Sequence, residues 1–486
     1  MNIFRRSVFL FAALGTLVCS CGGRHVAEAA RDAGEPAFLE IFERPEGGWT
    51  AVSVSPFDGS RDSLIIDRPL SRLIVMSTSH YGFLDALDAT DRIVGISGPD
   101  YLYSALVGSR QALTAPAGLV ASETSSGGST ASLRSAPPLA SLRSAPVPPL
   151  TVPRVAWVSP SRLVSAALAS DLAAGLASPD RGRPRHARGR GPDRRRGGEN
   201  LFSQTLQEMG GASRSEESGL LEPAAGSQST PVDVGYDAAP DYEKIVALRP
   251  EVVLTYAVSG AKSPFETKLE QLGIKVFTVN EHLERHPLAR AAYIRLFGAL
   301  TGQMAAADSV LNAVKENYNA IAENISNRNV PPRKVLLNIP YNDQWFVPSE
   351  ENYLSAMISD AGGIVLGSES GKSASSVISV EKAYSLSKEA DCWLNVGWCH
   401  SREDLLGVNP IFKDMLGNIE GNARELGYGS YPVVWNDNKR VNPKGGNDIW
   451  QSGVARPDLV LRDLATILHP DNQGEADKTI YYRQIN

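Results

Sequence analysis

A helix–strand unit occurs twice in this chain, once on each side of a long amphipathic segment, and that repeat constrains the fold more than any other feature. The first copy runs Tyr242-Glu243-Lys244, then Leu248, then Val252-Val253-Leu254. The second runs Val380-Glu381-Lys382, then Leu386, then Cys392-Trp393-Leu394. In both, a glutamate at the helix start precedes a leucine by five residues and a strand by nine to eleven. The helix dipole, which favours a carboxylate in the first turn, accounts for either glutamate alone. Two copies in register point instead to two similar lobes.

Between the copies, Pro287 opens a helical region. Tyr293, Phe297, Leu300, Met304, Ala307, Leu311, Val314, Tyr318, Ile321 and Ile325 fall in alternating steps of four and three, one face of a helix. Gly298 and Gly302 predict a break near Thr301. The stretch from Met304 to Ile325 would extend about 30 Å, enough to cross from one lobe to the other. Elsewhere, Leu73–Met76, Ile93–Ile96, Val276–Thr278 and Val335–Ile339 read as buried strands. Gly82–Ala89, Phe265–Leu272 and Tyr353–Ala361 read as helices. Val433-Val434-Trp435 reads as the last strand and Pro457–Leu468 as the closing helix. Such alternation argues for an α/β fold of two Rossmann-like lobes with parallel sheets, joined by one long helix. Residues Phe38 to Ile66 alternate weakly and turn at Glu46-Gly47-Gly48, which predicts an N-terminal β-hairpin.

Two segments do not belong to this pattern. Arg5 and Arg6 precede an apolar run from Val8 to Val18 that is too short to span a bilayer, the layout of a signal peptide. Val18-Cys19-Ser20-Cys21-Gly22-Gly23 follows and resembles a bacterial lipobox, with Cys21 as the lipidated residue because Ser20 precedes it and Gly22 follows. From Gly108 to Pro231 the composition turns to Ser, Ala, Pro, Gly and Arg, without lysine. Ala131-Ser-Leu-Arg-Ser-Ala-Pro137 recurs as Ala140-Ser-Leu-Arg-Ser-Ala-Pro146, and arginines cluster from Arg181 to Arg196. A stretch with so few periodic apolar positions is expected to be disordered. Read as a nucleic-acid arm it has almost no aromatic residues for base stacking, and the net charge of −6 argues the same way. The chain thus divides into a signal and lipobox (1–21), the first part of lobe 1 (37–107), an insertion (108–231), the second part of lobe 1 (232–287), a linking helical region (288–327) and lobe 2 (333–470).

The run Asp241-Tyr242-Glu243-Lys244-Ile245-Val246-Ala247-Leu248-Arg249-Pro250-Glu251-Val252-Val253-Leu254 resembles the core motif of the periplasmic binding proteins for ferric siderophores, haem and cobalamin. The opening strand with Met76-Ser77-Thr78-Ser79, the linking helix and the ending Trp450-Gln451-Ser452-Gly453-Val454-Ala455-Arg456-Pro457-Asp458-Leu459 are similar too. The resemblance covers about 69–107 and 232–470; the insertion departs from it and puts the folding of lobe 1 in question. It implies a monomeric, lipid-anchored periplasmic protein that captures a metal chelate between its lobes. The chelate would be passed to an ABC permease and its ATPase. It also implies that Glu243 and Glu381, by motif position, dock the permease. No cofactor of the protein's own is implied, since the ligand carries its iron or cobalt.

In open α/β sheets ligands lie beyond the C-terminal ends of the strands. That rule places Thr78, Ser79, His80, Tyr81 and Tyr256 at the cleft from lobe 1, and Trp345, Trp398, Asn436, Asp448 and Trp450 from lobe 2. Five of the seven tryptophans fall between Trp345 and Trp450, and aromatic faces suit a bulky planar or lipophilic ligand. Trp393, mid-strand, is assigned to the core. His80 could ligate metal, but no HExxH or paired-cysteine motif supports a built-in metal site. Two other readings stay open: a scavenging or sensing lipoprotein that transports nothing, and an α/β enzyme using Cys399 and His400. Gly367 to Ser373 is one residue short of a phosphate loop and no GxGxxG is present, so nucleotide chemistry is not expected. Cys392 and Cys399 would lie about 20 Å apart along an extended chain, too far to bridge, and are expected to be free and buried.

Overall fold

The computed structural model describes residues 34–103, 231–341, 344–429, 431–469 and 478–486. The segment read from the sequence as a signal and lipobox, with Cys21, and the expected insertion from 108 to 230 lie outside the described residues. The chain divides into two units, 1–175 with 231–486, and 176–230; every described residue belongs to the first.

The N-terminal element is a three-stranded antiparallel sheet, not the expected hairpin. β1 (Leu39–Glu43), β2 (Trp49–Val54) and β3 (Arg61–Ile66) pair in that order. Gly47 and Gly48 turn with positive φ, and a Cβ at Gly48 would meet the Ile66 carbonyl at 2.3 Å. Ile41, Ala51 and Leu64 share one register row on the packed face, while Phe42, Thr50 and Ile65 form a row on the open face. Lobe 1 holds this sheet through Asn280, whose amide donates to Ser53 Oγ and the Val54 carbonyl. Glu284 adds a clamp, accepting from the Ala37 and Phe38 amides at 3.0 Å each.

Lobe 1 contains β4 (Leu73–Val75), α1 (Thr78–Ala86), β5 (Ile93–Ile96), β6 (Val232–Asp233), the small pair β7 (Gly235–Tyr236) and β8 (Ala239–Pro240), α2 (Tyr242–Leu248), β9 (Val252–Thr255), α3 (Pro264–Gln271) and β10 (Val276–Thr278). Its sheet runs β10-β9-β4-β5-β6, parallel throughout. β4 and β9 are buried at every position, as their unbroken apolar runs require when helices cover both faces. β6, which follows the insertion, pairs with β5, which precedes it, with Gly95 opposite Val232. Sheet order therefore continues across the insertion.

The linking region is α4 (Pro287–Ala291), α5 (Ile294–Thr301) and α6 (Met304–Asn327). Gly302 sits at φ +74 and ends α5, where the two glycines predicted a break. A second interruption, at Ala292 and Tyr293, had no signal in the sequence. Ala307, Leu311, Val314, Tyr318 and Ile325 are the buried face of α6.

Lobe 2 contains β11 (Arg333–Leu337), β12 (Trp345–Val347), α7 (Tyr353–Asp360), β13 (Gly363–Val365), β14 (Ser376–Ile378), α8 (Val380–Ser387), β15 (Cys392–Leu394), α9 (Arg402–Val408), α10 (Phe412–Glu425), β16 (Val434–Asn436), α11 (Ser452–Ala455), α12 (Pro457–Leu468) and β17 (Arg483–Gln484). The sheet runs β13-β11-β15-β16-β17, with β17 antiparallel. β16, expected to be the last strand, thus has a further neighbour. One buried carboxylate positions it: Asp463 accepts from the amides of Ile480, Tyr481 and Tyr482. α6 packs on α5, which itself packs on α1 of lobe 1, and on α12 of lobe 2, so it joins the lobes as its periodicity predicts.

A second connection was not legible in the sequence. After β16 the chain crosses to lobe 1, where α11 packs on α1, and a Cβ at Gly82 would meet the Gln451 carbonyl at 2.0 Å. Asn442, 3% exposed, donates to the carbonyls of Asp100 and Leu102 while accepting from the Lys444 and Gly446 amides. The Tyr103 amide donates to Gln451 Oε1, and the Arg440 guanidinium lies 4.7 Å over the Tyr103 ring.

Candidate functional site

The two sheets present their C-terminal strand ends as the candidate site. In lobe 1, β4 runs directly into α1. Ser77 is the N-cap, its hydroxyl accepting from the Ser79 amide, so the helix starts at Thr78 and not at Gly82 as the sequence suggested. Thr78, Ser79, His80 and Tyr81 are therefore first-turn residues and not a loop. Thr78 and Tyr81 are half-buried. Ser79, 4% exposed, donates to Glu281 Oε1 at 2.7 Å. His80 is a correction: it has no exposed surface, lies 5.9 Å from the Phe297 ring, and neither ring nitrogen has a hydrogen-bond partner.

Glu281, beyond the end of β10, gathers a charged cluster that the sequence did not signal. Arg290 Nη2 is 3.9 Å from one carboxylate oxygen and His282 Nδ1 is 3.5 Å from the other. Burial alone would raise this carboxyl, but the hydrogen bond to His282 and the charges of His282, His80 and Arg290 outweigh it and hold it well below the usual range. Arg290 also lies 4.1 Å over the ring of Tyr353 in lobe 2. A small opening next to it is lined by His282, Glu284, Glu351, Asn352 and Ser373. Among the described residues no group of three or more His, Cys, Asp or Glu side chains is placed to hold a metal ion.

Tyr256 follows β9, half-buried, with its hydroxyl 3.4 Å from Asp237 and its ring edge-on to His282. Tyr101 and Tyr236, absent from the sequence expectations, close around Gly98, where a Cβ would stand 3.0 Å from the Tyr236 ring. Burial and the neighbouring Tyr101 push the Tyr236 hydroxyl up to about 12, so it stays a neutral donor.

In lobe 2, Leu337, Leu394 and Trp435 share a register row, so Asn338, Asn395 and Asn436 stand together one residue beyond it. Asn338 and Asn395 have positive φ, a conformation asparagine tolerates, and there the chain leaves the sheet. Trp345 is core and not cleft wall. It is a strand residue with no exposed surface, its Nε1 donates to the Leu337 carbonyl at 2.7 Å, and it stacks on Trp393 with Phe412 edge-on. Trp393 is core as expected. Asn436 is also a correction: fully buried, it donates to the carbonyls of Gly397 and Cys399 and shapes the loop that carries Trp398. Asp448, 2% exposed, is held by Arg440 Nε at 2.6 Å and is scaffold. Trp450 is half-buried against the core. Trp398 alone of the named tryptophans is open, at 53% exposure.

Glu243 and Glu381 are exposed in the first turns of α2 and α8, each behind a side-chain cap: Asp241 accepts from the Lys244 amide and Ser379 from the Lys382 amide. Cys392 and Cys399 are both free and buried, and burial pushes each thiol up to about 12. The His400 ring contacts Asn438 and Arg483, not Cys399, so that pair lacks the geometry of a nucleophile and its base.

Residues 213–413 match the family described as periplasmic binding protein. The match covers less than half of the chain. An uncharacterized lipoprotein of Methanocaldococcus jannaschii is 29% identical over 263 residues, 52% of this chain. The match spans 56% of that relative's length. Similar solved structures include a periplasmic haem-binding protein from Pseudomonas aeruginosa, at 12% identity, 82% and 93% coverage of this chain and that one, and TM-score 0.41. Another is a periplasmic vitamin B12-binding protein of Vibrio cholerae, at 9% identity, 83% and 99% coverage, and TM-score 0.41. Likeness of that degree carries no argument.

Proposed function

We propose that this binding protein captures an intact metal chelate (a ferric siderophore, haem or cobalamin) between its lobes and delivers it to an ABC permease and ATPase. The observation that carries the reading is the doubled helix–strand unit: each lobe offers a parallel-sheet edge to a ligand and an exposed first-turn glutamate, Glu243 or Glu381, to a partner. Thr78, Tyr81, Tyr256, Trp398 and Trp450 are its ligand contacts. The iron or cobalt is cargo and arrives already chelated, so no resident cofactor is required. Cys21 is the lipidation site that tethers the protein at a periplasmic membrane surface. The lipoprotein name of the archaeal relative supports this assignment. Thermal unfolding with ferric siderophores, haem and cobalamin tests the reading. A ligand at 100 times its Kd should stabilise by about 2.7 kcal/mol, and a melting point unmoved by every chelate would refute it.

A further inference from the structure

We propose that Trp398, His400 and Arg483 form a corner of the lobe-2 edge that reads a carboxylate on the ligand. The proposal rests on the binding-protein reading above and specifies the chemistry of what is bound.

Arg483 lies on β17, its Cα in register with Asn436, so it stands at the same sheet edge as the asparagine row. It is half-buried, yet among the described residues no carboxylate lies within ion-pair distance of it. Its polar contact is with His400, whose Nδ1 is 3.1 Å from Arg483 Nη1. A guanidinium only donates, so Nδ1 accepts, and the imidazole proton resides on Nε2. The exposed His400 ring therefore offers a second N–H beside the guanidinium. The amide of Asn438, 6% exposed, also approaches Nδ1 at 3.4 Å, while its Oδ1 is buried without a partner.

The acid that contacts the His400 amide, Asp404, is already committed. Asp404 accepts from the amides of His400 and Ser401 and closes the capping box of α9. Two residues before His400, Trp398 is held out at 53% exposure by the positive φ of Asn395 and Gly397 and by Asn436, which grips the loop on both sides of it. An open aromatic face beside an unneutralised, hydrogen-bonding cation suits a ligand with both a flat or lipophilic surface and a carboxylate.

The test compares matched ligands that differ in carboxylates: haem with its dimethyl ester, and ferric citrate with a neutral ferric trihydroxamate, with cobalamin alongside. Wild type, Arg483→Gln and Arg483→Lys are titrated with each. Wild type should prefer the carboxylate-bearing member of whichever pair binds. Arg483→Gln should weaken that member about 10- to 100-fold and leave the neutral member within about twofold. Arg483→Lys, which keeps the charge, should fall between. Equal melting points of the three unliganded proteins exclude a folding effect. Binding confined to neutral ligands, or an equal loss for both members of a pair, would overturn the corner and leave chelate capture standing. Absence of binding to every ligand would sink both.

Discussion

At the residue scale, His80 shows most sharply how a site residue read from sequence can differ from its role. Its place after a strand suggested a ligand contact; the structure buries it under Phe297 with both ring nitrogens unpartnered. Burial lowers its pKa from 6.5 to about 4, with the Glu281 charge opposing and that of His282 assisting; the Leu254 carbonyl favours the charged ring without reaching hydrogen-bond geometry. Between those two values the unfolded chain binds the proton that the folded chain refuses, so stability falls as pH drops from 6.5 to 4. The difference corresponds to about 3 kcal/mol at full protonation. His80→Phe should remove that part of the acid loss and leave stability at pH 7 unchanged or higher. Urea unfolding from pH 7 to pH 4 measures it, and an unaltered acid slope would contradict the assignment. The tryptophans teach the same lesson: spacing placed Trp345 and Trp398 alike beyond strands. One lies inside a short strand that pairs with β14, while the other follows a left-handed glycine into solvent. Nothing in a single sequence separates the two cases.

At the scale of elements, the periodic parts of the chain were legible. The helices Tyr242–Leu248 and Pro457–Leu468, the strand Val276–Thr278 and the buried face of α6 lie where apolar spacing puts them. The contacts that fasten elements together were not, because they depend on single amides and glycines with no periodicity. Asn442 fills all four of its hydrogen-bonding positions, two of them on lobe 1 carbonyls and two within its own loop, and Gly446 lets backbone meet backbone, since a Cβ there would stand 2.2 Å from the Tyr101 carbonyl. Asn442→Ala strands two carbonyls and two amides and should cost about 2 kcal/mol. It should also broaden the distance distribution between spin labels placed at Val246 and Val377, exposed positions in lobes 1 and 2. If the distribution stays as narrow as in the parent protein, the lobes are held by α6 alone. Arg483 escaped notice for a related reason: β17 is two residues long, and its position is set by Asp463 and not by a pattern.

At the scale of the whole molecule, the doubled unit gives each lobe an exposed first-turn glutamate, and the proposed function uses them as a pair. Reversing both charges, with Glu243→Lys and Glu381→Lys, should abolish chelate uptake by cells while the purified protein keeps its affinity. Loss of affinity instead would move these residues from docking to ligand binding. The insertion is the feature that composition flagged most plainly, and its consequence for lobe 1 could be seen only in the sheet. Because β5 and β6 pair across it, a chain interrupted by more than a hundred residues still completes a parallel five-stranded order.

β17 matters for another reason. A parallel sheet that stopped at β16 would expose a row of unpaired amides and carbonyls beside Val434 and Trp435, a template onto which a second chain could add a strand. The two-residue antiparallel strand covers that row, and Asp463 holds it there through three backbone amides. One carboxylate therefore guards against self-association, and its failure would register as aggregation in concentrated protein long before it registered as unfolding.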